Sequence, residues 1–473
     1  MGNFLQMPSI EPWKVYYQWA KERYGDIIYL NAAGEEIILL NSLSAAVDLL
    51  EKKAGIFSSR QWLIAFDLIG LSEWVTANLP YGAKWRSHRR SFHQFFNARE
   101  VQSYRPVIEQ EGIAHARRLA TNPKNFLLDS RYLFGILLLK ISYGSSDDEY
   151  NKQLLANSHV VVKSISESLL PGAYLVNTFP WLRHFPSWFP GTGWKQKFAK
   201  FSAASKLAVV DSLNDTKARL RAGVQDGFPS IAARLIENLP DESHETYEEQ
   251  LNVARAIAVN GFVAGSDTTV ISMYALYLAL AMRPEVQKRA QEEIDSVVGS
   301  DRLPTFNDFP RLPYVQAIMK EVSRWHTVVP LGLNHVSTEE YEYNGYRIPK
   351  GSSVLVNVWG IMHDPEIYED PFEFKPERFL KDGKIDPSVL DPEAAIFGFG
   401  RRICPGRHLS NEALMYMTTI ILAVFNIRPP KDEHGNPVKL ELKTTSHMVS
   451  TPLDYECEIV PRSEQHLALL SLD

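Results

Sequence analysis

Cysteine is scarce in this chain, with two among 473 residues. Two cysteines build no disulfide framework, and a chain of this length needs none. No uninterrupted apolar run reaches the roughly 18 residues of a bilayer-spanning helix, and no signal peptide opens the sequence. Gln6 stands where a myristoylation pattern needs Ser or Thr. Internal repeats, low-complexity tracts, polar linkers and Gly-rich phosphate loops are all missing, so one large domain covering residues 1–473 is expected. A formal net charge of −6 gives no reason to expect nucleic-acid binding. The remaining composition, 45% hydrophobic and 22% charged, is that of a globular enzyme.

What stands out is the run Phe397-Gly398-Phe399-Gly400-Arg401-Arg402-Ile403-Cys404-Pro405-Gly406. Gly398 and Gly400 can take backbone angles closed to other residues, so a tight loop here can aim amides at one atom. Donors around a sulfur lower its pKa and favour the thiolate, the form that binds metal. Cys457 is different. It lies in Tyr455-Glu456-Cys457-Glu458-Ile459, whose alternation reads as a strand with one buried face. Cys404 is therefore the chemical cysteine.

Helical periodicity dominates from about residue 84 to 326, and strand signals cluster at 26–42, 341–358 and 438–460. Asn344-Gly345 between Tyr343 and Tyr346 signals a tight hairpin, with Val354–Val358 expected to continue its sheet. Together these predict a mainly α protein with a small β lobe (α+β) drawn from both ends of the chain. The stretch Phe179–Pro190 carries prolines that forbid a continuous helix. Its aromatics, with Lys195, Lys197 and Lys200 nearby, suit either a lipid–water interface or an ordinary packed loop.

Within the apolar segment Asn260–Ala281, expected as one long helix, sits Ala264-Gly265-Ser266-Asp267-Thr268-Thr269. Glycine costs such a helix about 1 kcal/mol relative to alanine. Thr268, one turn beyond Ala264, can bond back to its carbonyl and loosen the ladder. Taken alone the pattern reads as a groove edged by a hydroxyl and a carboxylate, or as a defect in a core helix. Glu321 and Arg324 are three residues apart on a helix whose apolar face is Val315, Ile318, Met319, Val322 and Trp325. Trp85 and Arg89 sit one turn apart in a basic helix that includes Lys84, Arg86, His88 and Arg90, a face that also reads as solvated.

The loop around Cys404 resembles, without gaps, the haem-thiolate loop of the cytochrome P-450 monooxygenases, and the resemblance extends from Trp13 to about Pro461, closest to fungal microsomal members. It implies the cytochrome P-450 fold, with haem b between the long central helix and the Cys loop, and Cys404 as axial iron ligand. Asp267 and Thr268 match the family's proton relay and Ala264 its haem-side wall. Trp85 and Arg89 match the Trp-x-x-x-Arg helix that meets a propionate, and Arg402, His335 and Phe397 complete the cofactor-binding set. Glu321, Arg324 and Arg378 would form a buried ion network, while His408, on the helix after the loop, is not expected to ligate. Val328–Leu331, Gln61–Leu71 and Met448–Thr451 would line the substrate pocket. The activity implied is insertion of one atom of O2 into a lipophilic terpenoid, polyketide or alkaloid-like molecule of secondary metabolism. Electrons would come from NADPH through a separate cytochrome P-450 reductase, steered by Lys84, Arg86, Arg90, Arg401 and Arg407. The resemblance further implies the cytoplasmic face of the endoplasmic reticulum; without the membrane helix usual in such relatives, the chain as given is expected to be soluble or in peripheral membrane contact. A haem-thiolate isomerase or dehydratase, and a non-catalytic haem carrier or sensor, are the alternatives.

Overall fold

A computed structural model describes residues 2–32, 34–169, 173–224 and 228–471. The chain forms two compact units, one of residues 1–58, 108–133 and 268–473, the other of residues 59–107 and 134–267.

The first unit holds the sheets. Strands β1 (Ile27–Ala32) and β2 (Glu35–Leu40) form an antiparallel hairpin. Next come β3 (His335–Val336), the pair β4 (Tyr341–Tyr343) and β5 (Tyr346–Ile348), and β6 (Ser353–Val356). The main sheet has the order β1-β2-β6-β3, with β2 parallel to β6. β2 ends in the continuous apolar run Ile37-Ile38-Leu39-Leu40 because both its faces are covered. Ile38 and Leu40 pack with Leu49, Phe57, Met362, Phe379 and Phe399, whereas Ile37 and Leu39 pack with Tyr16 and Ala20.

The Asn344-Gly345 hairpin forms as expected, with both residues at positive φ (50° and 78°), the twist a two-residue turn requires. It stands as a separate two-stranded sheet, however. β6 pairs with β2 and β3 instead, and Val358 opens a short helix capped by the Asn357 side chain. In the expected 438–460 strand region, only a bridge between Thr444 and Pro452 and the start of a strand at Glu458–Pro461 are found. Cys457 lies one residue before that strand, so it is not a strand residue.

Six helices carry most of the residues named below: α1 (Ala83–Phe96), α2 (Phe126–Tyr143), α3 (Tyr247–Met282), α4 (Pro284–Val298), α5 (Pro313–Trp325) and α6 (Arg407–Val424). α3 is long and apolar enough to cross a membrane, but 72% of its most apolar window is buried inside the protein, as in a core helix. α5 turns Val315, Ile318 and Val322 inward along one stripe. In the second unit, two glycines of α3 are explained by packing. A Cβ on Gly265 would lie 2.7 Å from Leu138 of α2, and one on Gly261 would lie 3.0 Å from Phe96 of α1. Gly265 thus lets the Leu138 side chain of a neighbouring helix pack close to its backbone, and α3 runs through it as regular α-helix.

Candidate active site

The Cys404 loop is built by local backbone bonds. The short helix Glu393–Ile396 ends at Phe397, and Gly398 and Gly400 follow at φ 78° and 53°, a region open to glycine. The Cys404 amide donates to the Phe397 carbonyl at 2.7 Å and closes the loop. Phe399 is buried in the sheet core, and a side chain on Gly400 would collide with the Leu50 carbonyl. The loop is therefore pinned to the sheet lobe. Helix α6 begins three residues after Cys404, and its N-terminal dipole favours a thiolate. Cys457 is the opposite case: burial pushes its thiol up to about 12, so it stays protonated. His408 lies in the first turn of α6.

Two of the propionate candidates are held by consecutive carbonyls. The Arg402 Nε donates to the Ser58 carbonyl at 2.7 Å, and the His335 Nδ1 to the Phe57 carbonyl at 2.6 Å. His335 is fixed further by its place in β3, paired with Val354. The end of the segment Ala54–Ser58 thus orients both side chains, a non-local arrangement that no motif announces.

Trp85 and Arg89 lie on α1 in the second unit. The Arg89 guanidinium sits 5.9 Å from the centre of the buried Trp85 ring, which packs against Tyr81 at 5.2 Å. Arg86 and Arg90 are exposed, as a solvated face would be, but His88 is not. Its Nδ1 is hydrogen-bonded to Thr76 Oγ1 at 2.9 Å, and burial lowers its pKa to about 4. The Thr76 amide donates to Asn260 Oδ1 at 3.3 Å, while Asn260 Nδ2 donates to the Trp74 carbonyl at 2.6 Å. α1 is thereby tied to α3 through His88, Thr76 and Asn260.

On α3 the residues from Ala256 to Ala281 are buried with few breaks. Ala264 is exposed, and Thr268 and Ser272 are half-exposed, a stripe at intervals of four residues; Asp267 is half-exposed beside it. The hydroxyl of Ser266 donates back to the Val263 carbonyl at 3.1 Å, and Thr269 meets Ser410 of α6 at 3.3 Å.

The expected ion network is present. Glu321 and Arg324 are fully buried and joined at 2.8 Å by both carboxylate oxygens, and Arg378 Nε meets the same carboxylate at 3.1 Å. Arg324 also donates to the carbonyls of Met362, Pro371 and Glu373. The Glu321–Arg324 pair therefore ties α5 to the segment 362–378.

These residues suit a haem. Among the described residues no cluster of three His, Cys, Asp or Glu side chains is placed to hold a metal ion, and a lone thiolate suits an iron whose other ligands come with a porphyrin. Gly406, at an ordinary φ of −85°, has no packing reason to be glycine. A Cβ there would meet within 4 Å only the Cys404 sulfur, at 3.9 Å, leaving open room beside the ligand atom.

The sequence profile of the cytochrome P-450 family matches residues 1–456. Cytochrome P-450 monooxygenase COX1 of Coprinopsis cinerea is 51% identical over 472 residues, covering 99% of this chain and 91% of that protein. Cytochrome P-450 monooxygenase claR of Ampulloclitocybe clavipes is 38% identical, covering 100% and 86%. The tryptamine 4-monooxygenase of Psilocybe cyanescens is 35% identical, covering 100% and 92%. With such identity sustained along nearly the whole of each protein, this chain belongs to the cytochrome P-450 family and is a haem monooxygenase.

Proposed function

We propose that this monooxygenase oxidises a lipophilic small molecule of fungal secondary metabolism, working as one haem-thiolate domain. The observation that carries the reading is the pinned Cys404 loop, with α6 starting three residues on and only the sulfur within 4 Å of a Cβ placed on Gly406. When bound, the haem supplies dioxygen activation and oxygen insertion. Cys404 would hold the iron as thiolate with Phe397 beside the ring; Arg402 and His335 of the first unit would bind propionate, as would Arg89, by its charge, and Trp85, by its N–H, of the second. Asp267 and Thr268 pass protons inward from solvent, a role supported by their half-exposed positions on an otherwise buried helix. In the first unit Val328–Leu331 and Met448–Thr451 would exclude water and select for shape and lipophilicity, and in the second Ala264 is assigned the haem-side wall. The name of the Psilocybe relative points to an aromatic amine as one substrate type within reach of this group of enzymes.

Electrons are assigned to NADPH through a separate flavoprotein reductase, drawn by Arg401 and Arg407 of the first unit and Lys84, Arg86 and Arg90 of the second. Contact with the endoplasmic reticulum surface is assigned to the aromatic stretch in the second unit. There Trp188 is 80% and Trp181 58% exposed, and Leu175, Phe179 and Phe189 are exposed beside them. The test is turnover of a terpenoid and alkaloid library with reductase, NADPH and labelled dioxygen. One labelled oxygen atom per product is expected, and Thr268→Ala is expected to divert most NADPH to peroxide. Unlabelled, isomerised or dehydrated product formed without NADPH would replace this reading with the isomerase or dehydratase.

A further inference from the structure

The chain leaves α5 through His326 and Thr327 before the apolar run Val328-Val329-Pro330-Leu331. His326 is buried, and its Nε2 donates to the Ser450 carbonyl at 3.0 Å. Two residues on, the Val328 carbonyl accepts from the amide of that same Ser450 at 2.8 Å. Ser450 is therefore gripped through both of its backbone polar groups by one short segment. It belongs to a loop closed upon itself: the Thr445 amide donates to the Thr451 carbonyl at 2.8 Å, and the Thr451 amide to Thr445 Oγ1 at 3.1 Å. The loop tip, residues 446–449, stays at least partly exposed.

One hydrogen bond between two segments is a hinge, because each can still turn about it. A second bond, to the other backbone group of the same residue, removes that rotation. Donor and acceptor are both shielded from water here, so neither has a ready substitute. From this we infer that His326 is a positioning residue for substrate selection: it fixes the spacing between the 328–331 segment and the 445–451 loop, and so the girth of ligand admitted. The inference rests on the reading above that both segments face the substrate. It takes the ligand to be apolar on this side, since Val328, Val329, Pro330, Leu331, Met448 and Val449 supply most of the side chains.

The test uses the full haem-loaded chain and two azoles that ligate iron, slender 1-dodecylimidazole and bulky clotrimazole, titrated by absorbance. His326→Leu is expected to change the ratio of their dissociation constants by about tenfold. Amide exchange in residues 445–451 should speed up by a similar factor. His326→Gln, which keeps a donor of comparable reach, should restore both. If His326→Leu fails to take up haem, His326→Asn, whose amide is too short to reach Ser450, carries the same comparison. A lowered melting temperature with an unchanged ratio and unchanged exchange would make His326 merely structural and overturn the proposal. Val329→Phe separates the two levels. If it leaves both azoles unaffected, the reading of the pocket falls and the proposal with it. If it alters their binding while His326→Leu does not, only the proposal falls.

Discussion

Glu321 accepts hydrogen bonds from Arg324, Arg378 and the amide of Lys375 while wholly shielded from water. A buried ion pair adds little net stability, but stranding one member costs about 3–5 kcal/mol. Arg378→Ala should therefore lower the thermal midpoint by several degrees and reduce haem content in the purified protein. A fully loaded variant melting like the parent would show that the trio does not hold the cofactor lobe. The trio was legible only through the family resemblance, because Glu-x-x-Arg spacing alone reads as an exposed pair and Arg378 lies 57 residues beyond Glu321. The Phe57 and Ser58 carbonyls that aim His335 and Arg402 were not legible, since they lie some 280 and 340 residues away along the chain. His88 misled for a related reason. It sits among basic residues, and only its bond to Thr76 shows that it faces inward.

At the scale of elements, glycine separates what the protein needs from what its cofactor needs. Gly400 holds a left-handed φ against the Leu50 carbonyl, so Gly400→Ala should cost about 1–2 kcal/mol of backbone strain and displace the loop as well. Gly406→Ala should leave the stability of the haem-free chain unchanged yet weaken haem retention, because only the sulfur lies near its Cβ. Equal effects of the two substitutions on the haem-free chain, followed by urea unfolding, would refute this division. The long helix and the Asn-Gly hairpin were readable from period and turn chemistry. Sheet partners were not: nothing local in Val354–Val356 favours β2 and β3 over the hairpin beside it. Residues 438–460 have strand-like alternation but few pairing partners, and without a ladder alternation makes no strand.

At the scale of the whole molecule, burial holds His88, His115, His326 and His363, among the described residues, in the neutral form. Burial lowers His88 and His326 to about 4 and His115 and His363 to about 3. Unfolded, each would titrate near 6.5, so the stability they contribute is complete above that pH. It drains away as the pH falls toward 4 and 3, because the unfolded chain binds protons that the folded chain refuses. Each histidine costs on the order of 1.4 kcal/mol per pH unit in that window. The urea midpoint should fall steeply between pH 6.5 and 4 at fixed ionic strength, and a flat profile would contradict their neutral burial. Carboxylates held low, such as Asp308 between Arg302 and Arg311, act only at lower pH still.

The claim on which the rest depends is that Cys404 alone binds the iron. Its most direct measurement is the difference spectrum of dithionite-reduced protein with and without carbon monoxide. Wild type and Cys457→Ser should both show the strongly red-shifted Soret band of thiolate ligation, and Cys404→Ser should lose it. A normal band from Cys404→Ser, or its loss from Cys457→Ser, would contradict the account.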